Sequence, residues 1–502
     1  MKVAIRVDAS SQIGTGHFMR CLTLADALKQ RDTQVRFISR FLPAHMQDML
    51  ATKGHEAVLL DGATPNDSQN DLAHSRWLGT SQQSDAQACL QALSDGTWDW
   101  LVVDHYALDA HWESMLRPSA SNILVIDDIA DRQHDCDVLL DQNYYSDMQT
   151  RYHDKVPAHC RLLLGPKYAL LRDEFRQLRQ QVQPRAGLIK RVLVFFGGVD
   201  VDDYTGRAIE ALSGLDAEGM HVDVVIGEQH PRRKNIESAC AKHRFDCHVQ
   251  TDRMAELMAA ADFSIGAGGS AIWERCCLGL PALIVSTADN QRKQVADAAC
   301  AGLIYAPQLK GDLGLAMQRH LGTLSENSHL LQAISSAAMQ VADGRGVLRV
   351  MGSMGCSGMT IRLACQDDME HLYQWRNHAS IRVVSQNSGI ISWEDHKTWF
   401  TALLSSTDRV LLIGEREGVP MGVVRFDMQD DEAEVSIYVV PGITEAGVGS
   451  DLLRRAEKWL AANRSGIGKV RAKVLAGNER SHGLFIGSGY QVESTAYFKE
   501  LQ

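Results

Sequence analysis

Lys2-Val3-Ala4-Ile5-Arg6-Val7-Asp8-Ala9-Ser10-Ser11-Gln12-Ile13-Gly14-Thr15-Gly16-His17-Phe18-Met19-Arg20 passes from a strand, through a glycine turn, into a helix. Residues 2–8 are the β-branched run that a buried parallel strand needs. Ser10, Ser11 and Gly14 form the turn, and from Phe18 the apolar residues Met19, Leu22, Leu24, Ala25 and Leu28 recur at helical spacing. A glycine turn at a helix start leaves backbone N–H groups uncovered beside the positive end of the helix dipole, which is a site for a diphosphate. Gly14 and Gly16 offer those amides, His17 stands at the mouth, and Arg20 lies three residues on, on nearly the same helix face. The turn lacks the third glycine of the dinucleotide fingerprint, so its ligand is not read from this stretch alone.

The rest of the chain repeats the pattern. Runs at 35–39, 57–60, 100–104, 122–127 and 138–141 read as strands separated by helical stretches, which predicts a doubly wound parallel sheet. Ligands bind such sheets at the carboxyl ends of the strands, where Asp104-His105-Tyr106 falls. A second alternating unit starts at Arg191. Val192–Phe196 leads into Gly197-Gly198-Val199-Asp200, and Asp262–Ile265 leads into Gly266-Ala267-Gly268-Gly269-Ser270 and a helix carrying Trp273 and Glu274. Ala282–Val285 leads into Ser286–Gln291. The expected domains are residues 1–182, 183–346 and 360–502, joined by a flexible Gly/Ser-rich linker over 347–359. In the last domain an antiparallel meander ends at Val440. Pro441-Gly442 and Ala446-Gly447-Val448-Gly449-Ser450 then open a helix, again with amides placed for a pyrophosphate.

Composition narrows the classes. A 502-residue chain with a formal net charge of −11 is a multidomain globular protein that does not present a nucleic-acid or anionic-membrane surface. It has 11 cysteines without a CxxC pair, and Cys276-Cys277 sit in an apolar helical pattern. The expectations are a core role for that pair, no metal, no membrane span and a cytoplasmic location.

Two resemblances follow from these residues. The last domain resembles the GNAT acetyltransferases at Val439–Leu453 and at Asn478, Leu484-Phe485 and Gly489-Tyr490. That resemblance implies an acetyl-CoA site formed by Val439, Gly447, Val448, Gly449, Ser450 and Asn478. Glu434 is the candidate base for an acceptor amine. Two positions depart from the family pattern: Thr444 replaces an Arg or Gln, and Phe485 replaces the tyrosine that protonates the departing thiolate. Ser481, Tyr438 or water are the substitutes, and a non-catalytic acyl-CoA-binding module stays open.

Residues 1–345 resemble the UDP-sugar hydrolases of pseudaminic acid biosynthesis. The match rests on residues 6–10 and 13–20, Asp104-His105-Tyr106, the run Gly165–Phe175, Gly197–Asp200, Gly268-Gly269-Ser270 with Glu274, and Asn290-Gln291. The resemblance implies a GT-B-like pair of Rossmann-type domains followed by an α+β GNAT domain. It also implies metal-independent, inverting hydrolysis of UDP-2,4-diacetamido-2,4,6-trideoxy-β-L-altropyranose with His17 as general base. Substrate binding then falls to Gly14, Gly16, Arg20, Asp104, His105, Tyr106, Arg172, Gly198, Gly269, Ser270, Glu274, Asn290 and Gln291. The fusion implies a bifunctional enzyme that acetylates a UDP-4-amino-sugar and then removes UDP, in a pathway that feeds flagellin or surface glycans. A GT-B glycosyltransferase with another acceptor, or a hydrolase for a related diamino sugar, remains the alternative.

Overall fold

The computed structural model describes every residue except 11, 63–71, 216–218, 357, 386, 417–418, 446, 465, 476 and 494–502. Ser11, Ser357 and Ala446, named above, therefore lie outside the described residues. The chain forms two compact units, Met1–Val350 and Met351–Gln502.

The first unit holds two parallel sheets. The strands of one are β1 (Lys2–Val7), β2 (Gln34–Ser39), β3 (Glu56–Leu59), β4 (Trp98–Asp104), β5 (Ala120–Ile126), β6 (Val138–Asp141) and β7 (Arg161–Leu164). They lie in the order β3-β2-β1-β4-β5-β6-β7. β1 is mostly apolar because it is buried between β2 and β4. Its buried exception, Arg6, is fully enclosed and bonded to both Asp8 and Asp85. Such burial is tolerated only because the charge is paired. Val7 pairs with Asp104, so the turn after β1 and the segment after β4 leave the sheet side by side.

The second sheet, β8 (Arg191–Phe195), β9 (His221–Ile226), β10 (Asp246–Val249), β11 (Phe263–Ala267) and β12 (Ala282–Val285), runs β10-β9-β8-β11-β12. Two edge strands, β7 and β10, escape the sequence reading. Each has only four residues, and the latter reads Asp-Cys-His-Val, too short and polar to show a period.

Packing moves the expected boundary at 182. Ala169, Leu171 and Phe175 share a core with Leu257, Trp273 and Cys277 of the second half. Arg179 donates to the carbonyls of Cys277 and Met339 at 2.6 and 2.7 Å. The segment therefore belongs to the second half by contact, although it continues the first half in sequence. Cys276 and Cys277 are buried in this core, as their apolar helical pattern implies.

The second unit is α+β. Its sheet, β13 (Thr360–Leu363), β14 (Arg409–Arg416), β15 (Val419–Gln429), β16 (Glu432–Val439) and β17 (Lys469–Ala472), is antiparallel except for the parallel pair β16–β17. Among the described residues no helix is long and apolar enough to cross a membrane.

The expected flexible linker is corrected. Residues Gly346–Ser353 form a helix in which Val347, Val350 and Met351 are buried. Tertiary packing supplies what the Gly/Ser composition lacks. A Cβ on Gly346 would stand 2.1 Å from the carbonyl oxygen of Ala169, so this helix starts directly on that backbone. Gly346→Ala is expected to lower unfolding stability by about 1–3 kcal/mol, read by denaturant melts, because neither backbone can give way. An unchanged midpoint would mean the close approach is not maintained.

Candidate functional site

The site begins where β1 and β4 end. Ser10 Oγ accepts the N–H groups of Gln12 and Ile13, and Gly14 N–H donates to Ser10 O at 2.8 Å. Gly14 has φ +79°, which closes the turn. The helix Gly16–Lys29 then starts at once, with His17 in its first turn. His17 Nδ1 lies 2.6 Å from Asp104 Oδ1. Arg20, one turn on, donates to the same carboxylate at 2.6 and 2.7 Å and to Asp128 at 2.9 Å. The Asp104 side chain is fully buried, whereas His17 keeps 11% of its side-chain surface exposed. An ionised carboxylate can only accept, so His17 carries its proton on Nδ1 and turns the Nε2 lone pair outward. Burial by itself opposes ionisation of Asp104, but Arg20 and His17 outweigh it and hold the carboxyl well below the usual range. The Tyr106 ring meets His17 edge-on at 4.6 Å, and its hydroxyl donates to Asp128.

Four residues expected to touch substrate therefore change role. Arg20, Asp104, His105 and Tyr106 are all buried, and their polar groups are engaged inside the protein. His105 Nδ1 accepts the Ala107 N–H at 3.1 Å, and its Nε2 faces Asp8 at 3.3 Å in the Arg6–Asp8–Asp85 cluster. These groups hold His17 and the two strand ends, while Gly14, Gly16 and His17 remain accessible.

Three buried polar residues at or just after the ends of β5 and β6 escape the sequence reading as site elements: Asp128, Asp141 and Asn143. Their signal was present in part, since Asp127-Asp128 directly follows β5 and Asp141 ends β6. Burial, reinforced by the Asp128 charge, pushes the Asp141 carboxyl up to about 8. The unfolded value is about 3.9, so between those limits the folded protein holds a proton that the unfolded chain has lost. The stability of the wild type relative to Asp141→Asn is thus expected to fall as pH rises from about 4 to about 8, by at most ~1.4 kcal/mol per pH unit. Paired denaturant melts at the two ends of that window check it, and a constant difference excludes a raised Asp141.

In the second half, the predicted residues stand at the carboxyl ends of β8, β11 and β12. Gly198 is packed so closely that a Cβ on Gly227 would lie 2.3 Å from its carbonyl oxygen. Gly269 has φ +93°, and Ser270 is exposed at the start of the helix Ala271–Cys277. Glu274 follows within that helix. Burial raises its carboxyl pKa against the pull of Arg172 and Arg275. Arg172 also pairs with Glu174 at 3.0 Å. Gln291 is half-buried, and its Oε1 accepts from Thr287 N–H at 3.1 Å. Asn290 is exposed beside it. Elsewhere on this sheet His221, Asp223 and Asp246 bring one ligand atom each within 4.8 Å of one another. Asp223, however, is already paired with Arg191 at 2.7 Å.

In the second unit, Gly447 (φ +86°) caps the helix Val448–Asn463. A Cβ there would lie 2.7 Å from Gly352 O. Gly449 faces Val439 and Leu484, Ser450 is exposed, and Val448 is buried. β16 pairs with β17 only as far as Val435↔Ala472, although β16 continues to Val439. The sheet therefore parts beside Ser436–Val439 among the described residues, leaving an edge for an extended ligand. A cleft of about 600 Å³ adjoins it, lined in part by Arg376, Glu434, Tyr438, Asn478 and Phe485. Asn478 caps the helix Glu479–Gly487 by accepting the Ser481 N–H at 3.2 Å. Glu434, the expected base, is ion-paired with Lys473 at 2.7 Å. Burial pushes the Tyr438 phenol far up.

Residues 369–490 match the acetyltransferase (GNAT) family model. An uncharacterized protein of Methanocaldococcus jannaschii, MJ1062, is 22% identical over 98% of this chain and 97% of its own. The spore coat polysaccharide biosynthesis protein SpsG of Bacillus subtilis is 23% identical over 70% of this chain and 96% of its own. The chain is thus a GT-B-type pair of Rossmann domains with a GNAT domain after it. The first part is a homologue of the UDP-2,4-diacetamido-2,4,6-trideoxy-beta-L-altropyranose hydrolase of Campylobacter jejuni, 24% identical over 51% of this chain and 81% of that protein.

Asp104→Asn is expected to abolish the fixed Nδ1–H tautomer of His17, read as a change in its imidazole nitrogen shifts. Unchanged shifts would show that Asp104 does not set the tautomer.

Proposed function

We propose that the chain is a bifunctional enzyme of nonulosonate synthesis, acetylating the 4-amine of a UDP-amino-sugar and then hydrolysing UDP-2,4-diacetamido-2,4,6-trideoxy-β-L-altropyranose. The observation that carries the reading is the His17–Asp104 dyad, in which Nδ1 faces the buried carboxylate while the His17 side chain keeps 11% of its surface exposed, next in sequence to the accessible Gly14 and Gly16. Nε2 takes a proton from water, and the water oxygen attacks the anomeric carbon from the face opposite UDP. The bond from that carbon to the β-phosphate oxygen breaks, UDP leaves, and the anomeric centre inverts. Asp104 stabilises the imidazolium formed on the way. Amides at Gly14, Gly16, Gly198 and Gly269, with Ser270 and Arg172, take up the charge of the departing diphosphate. Glu274 accepts from the ribose hydroxyls, and Asn290 orients the sugar.

In the second unit, Gly447, Gly449 and Ser450 cradle the pyrophosphate of acetyl-CoA, and its arm lies along Val439 at the parted sheet. The acceptor amine attacks the thioester carbon and the CoA thiolate leaves. Glu434 must first be released from Lys473 to take the amine proton, and Tyr438 stands in the same cleft as a proton donor to sulfur.

UDP release from the diacetamido sugar in H₂¹⁸O with EDTA tests the first step. Wild type is expected to place label in the sugar, and His17→Ala to turn over roughly a hundredfold more slowly or worse. Label in UDP would sink the mechanism, and release only with an added acceptor would make the protein a glycosyltransferase. CoA formation with the 4-amino sugar tests the second step, where absence of turnover leaves a binding module.

A further inference from the structure

Asn143, in the segment after β6, lies where the two Rossmann halves meet. Its side chain makes three hydrogen bonds in three directions. Nδ2 donates to Asp128 Oδ2 at 3.2 Å. Oδ1 accepts from Trp273 Nε1 at 2.8 Å and from Gln294 Nε2 at 2.9 Å. Only one orientation of the amide satisfies all three, because Asp128 requires a donor and the indole requires an acceptor. All four residues are buried, at 9% exposure or less, so each bond is made in a poorly screened interior.

The two ends of this junction differ in what they carry. Asp128 also accepts from Arg20 and Tyr106, and Arg20 grips the carboxylate that orients His17. Trp273 immediately precedes Glu274, in the short helix that follows Gly269-Ser270. Gln294 lies in the first turn of the helix Arg292–Cys300, which follows Asn290-Gln291. An unbroken series of hydrogen bonds thus runs from the imidazole of one half to both nucleotide-side helices of the other. No charged residue could replace the amide. An aspartate would repel Asp128 and could not donate to it, and a lysine could not accept from the indole.

We infer that Asn143 is a positioning residue that sets the distance and angle between the nucleotide-holding half and the His17 dyad. This rests on the hydrolase reading above. It contacts no reacting atom and acts through Asp128 and Arg20 on one side and Trp273 and Gln294 on the other. Reaction at the anomeric carbon needs water, Nε2 and the sugar held within a narrow geometry, and the sugar is held chiefly by its nucleotide. A junction that registers the two halves therefore affects turnover more than nucleotide affinity.

The test uses the full chain with Asn143→Leu and, as the milder change, Trp273→Phe, which keeps the ring and removes one donor. Three readouts are needed: UDP affinity by calorimetry, kcat for UDP release, and the His17 imidazole NMR signals with and without UDP. In wild type, UDP is expected to shift the His17 signals. In Asn143→Leu that response should be lost and kcat should fall roughly tenfold or more while UDP affinity is kept, and Trp273→Phe should lie between. A His17 response to UDP that persists in both variants, or is absent in wild type, overturns the proposal. So does a lowered melting temperature with kcat preserved. If Asn143→Leu does not fold, Trp273→Phe decides alone. If wild type releases no UDP from the sugar, the hydrolase reading fails separately, and the His17 response still settles whether the halves are coupled.

Discussion

The carboxylate of Asp104 is the point on which the first unit depends. It terminates β4 where that strand lies against β1, and it receives both His17 and Arg20 from the helix that β1 leads into. Sheet register, turn geometry and imidazole orientation are thus tied to one buried anion. Removing the anion would leave the Arg20 guanidinium buried with half its partners and His17 free to rotate. A buried charge of this kind is costly unless fully matched, and here the matching groups are Arg20 and His17.

A second buried cluster, Arg6 with Asp8 and Asp85, lies one residue earlier along β1 and performs a different task. Arg40 joins it through Asp85, and Asp8 also accepts the backbone N–H groups of Arg40 and Phe41. The end of β2 is thereby fastened to the end of β1. The strand ends around His17 are rigid on both sides, while the turn at Gly14–Gly16 stays open.

Much of this architecture was legible in the chain because parallel strands covered on both faces carry near-continuous apolar runs, as the centres of β1, β4, β5, β8 and β12 do. The glycine turns were legible for the same local reason. What the sequence could not disclose was direction. A polar residue just after a strand points either into the cleft or back beneath it, and Asp104, His105 and Tyr106 point back. Asp128 and Asn143 look like ordinary turn residues, and only the approach of Trp273, 130 residues later, gives Asn143 its significance. The segment Gly346–Ser353 misleads in the opposite way. It opens the stretch expected as a tether, yet its first residue lies directly on the backbone of Ala169. Glu434 was legible as a cleft carboxylate, but its neighbour Lys473 across the sheet was not.

The depth at which charges sit gives the two units different responses to ionic strength. The pair between His17 and Asp104 has one fully enclosed member, so added salt screens it much less than a surface pair. Glu434 and Lys473, by contrast, retain 39% and 68% of their side-chain surface in solvent. Added salt screens that pair and frees the carboxylate, while the geometry around His17 is left alone. The same medium therefore acts to different degrees on the two charge pairs of one chain.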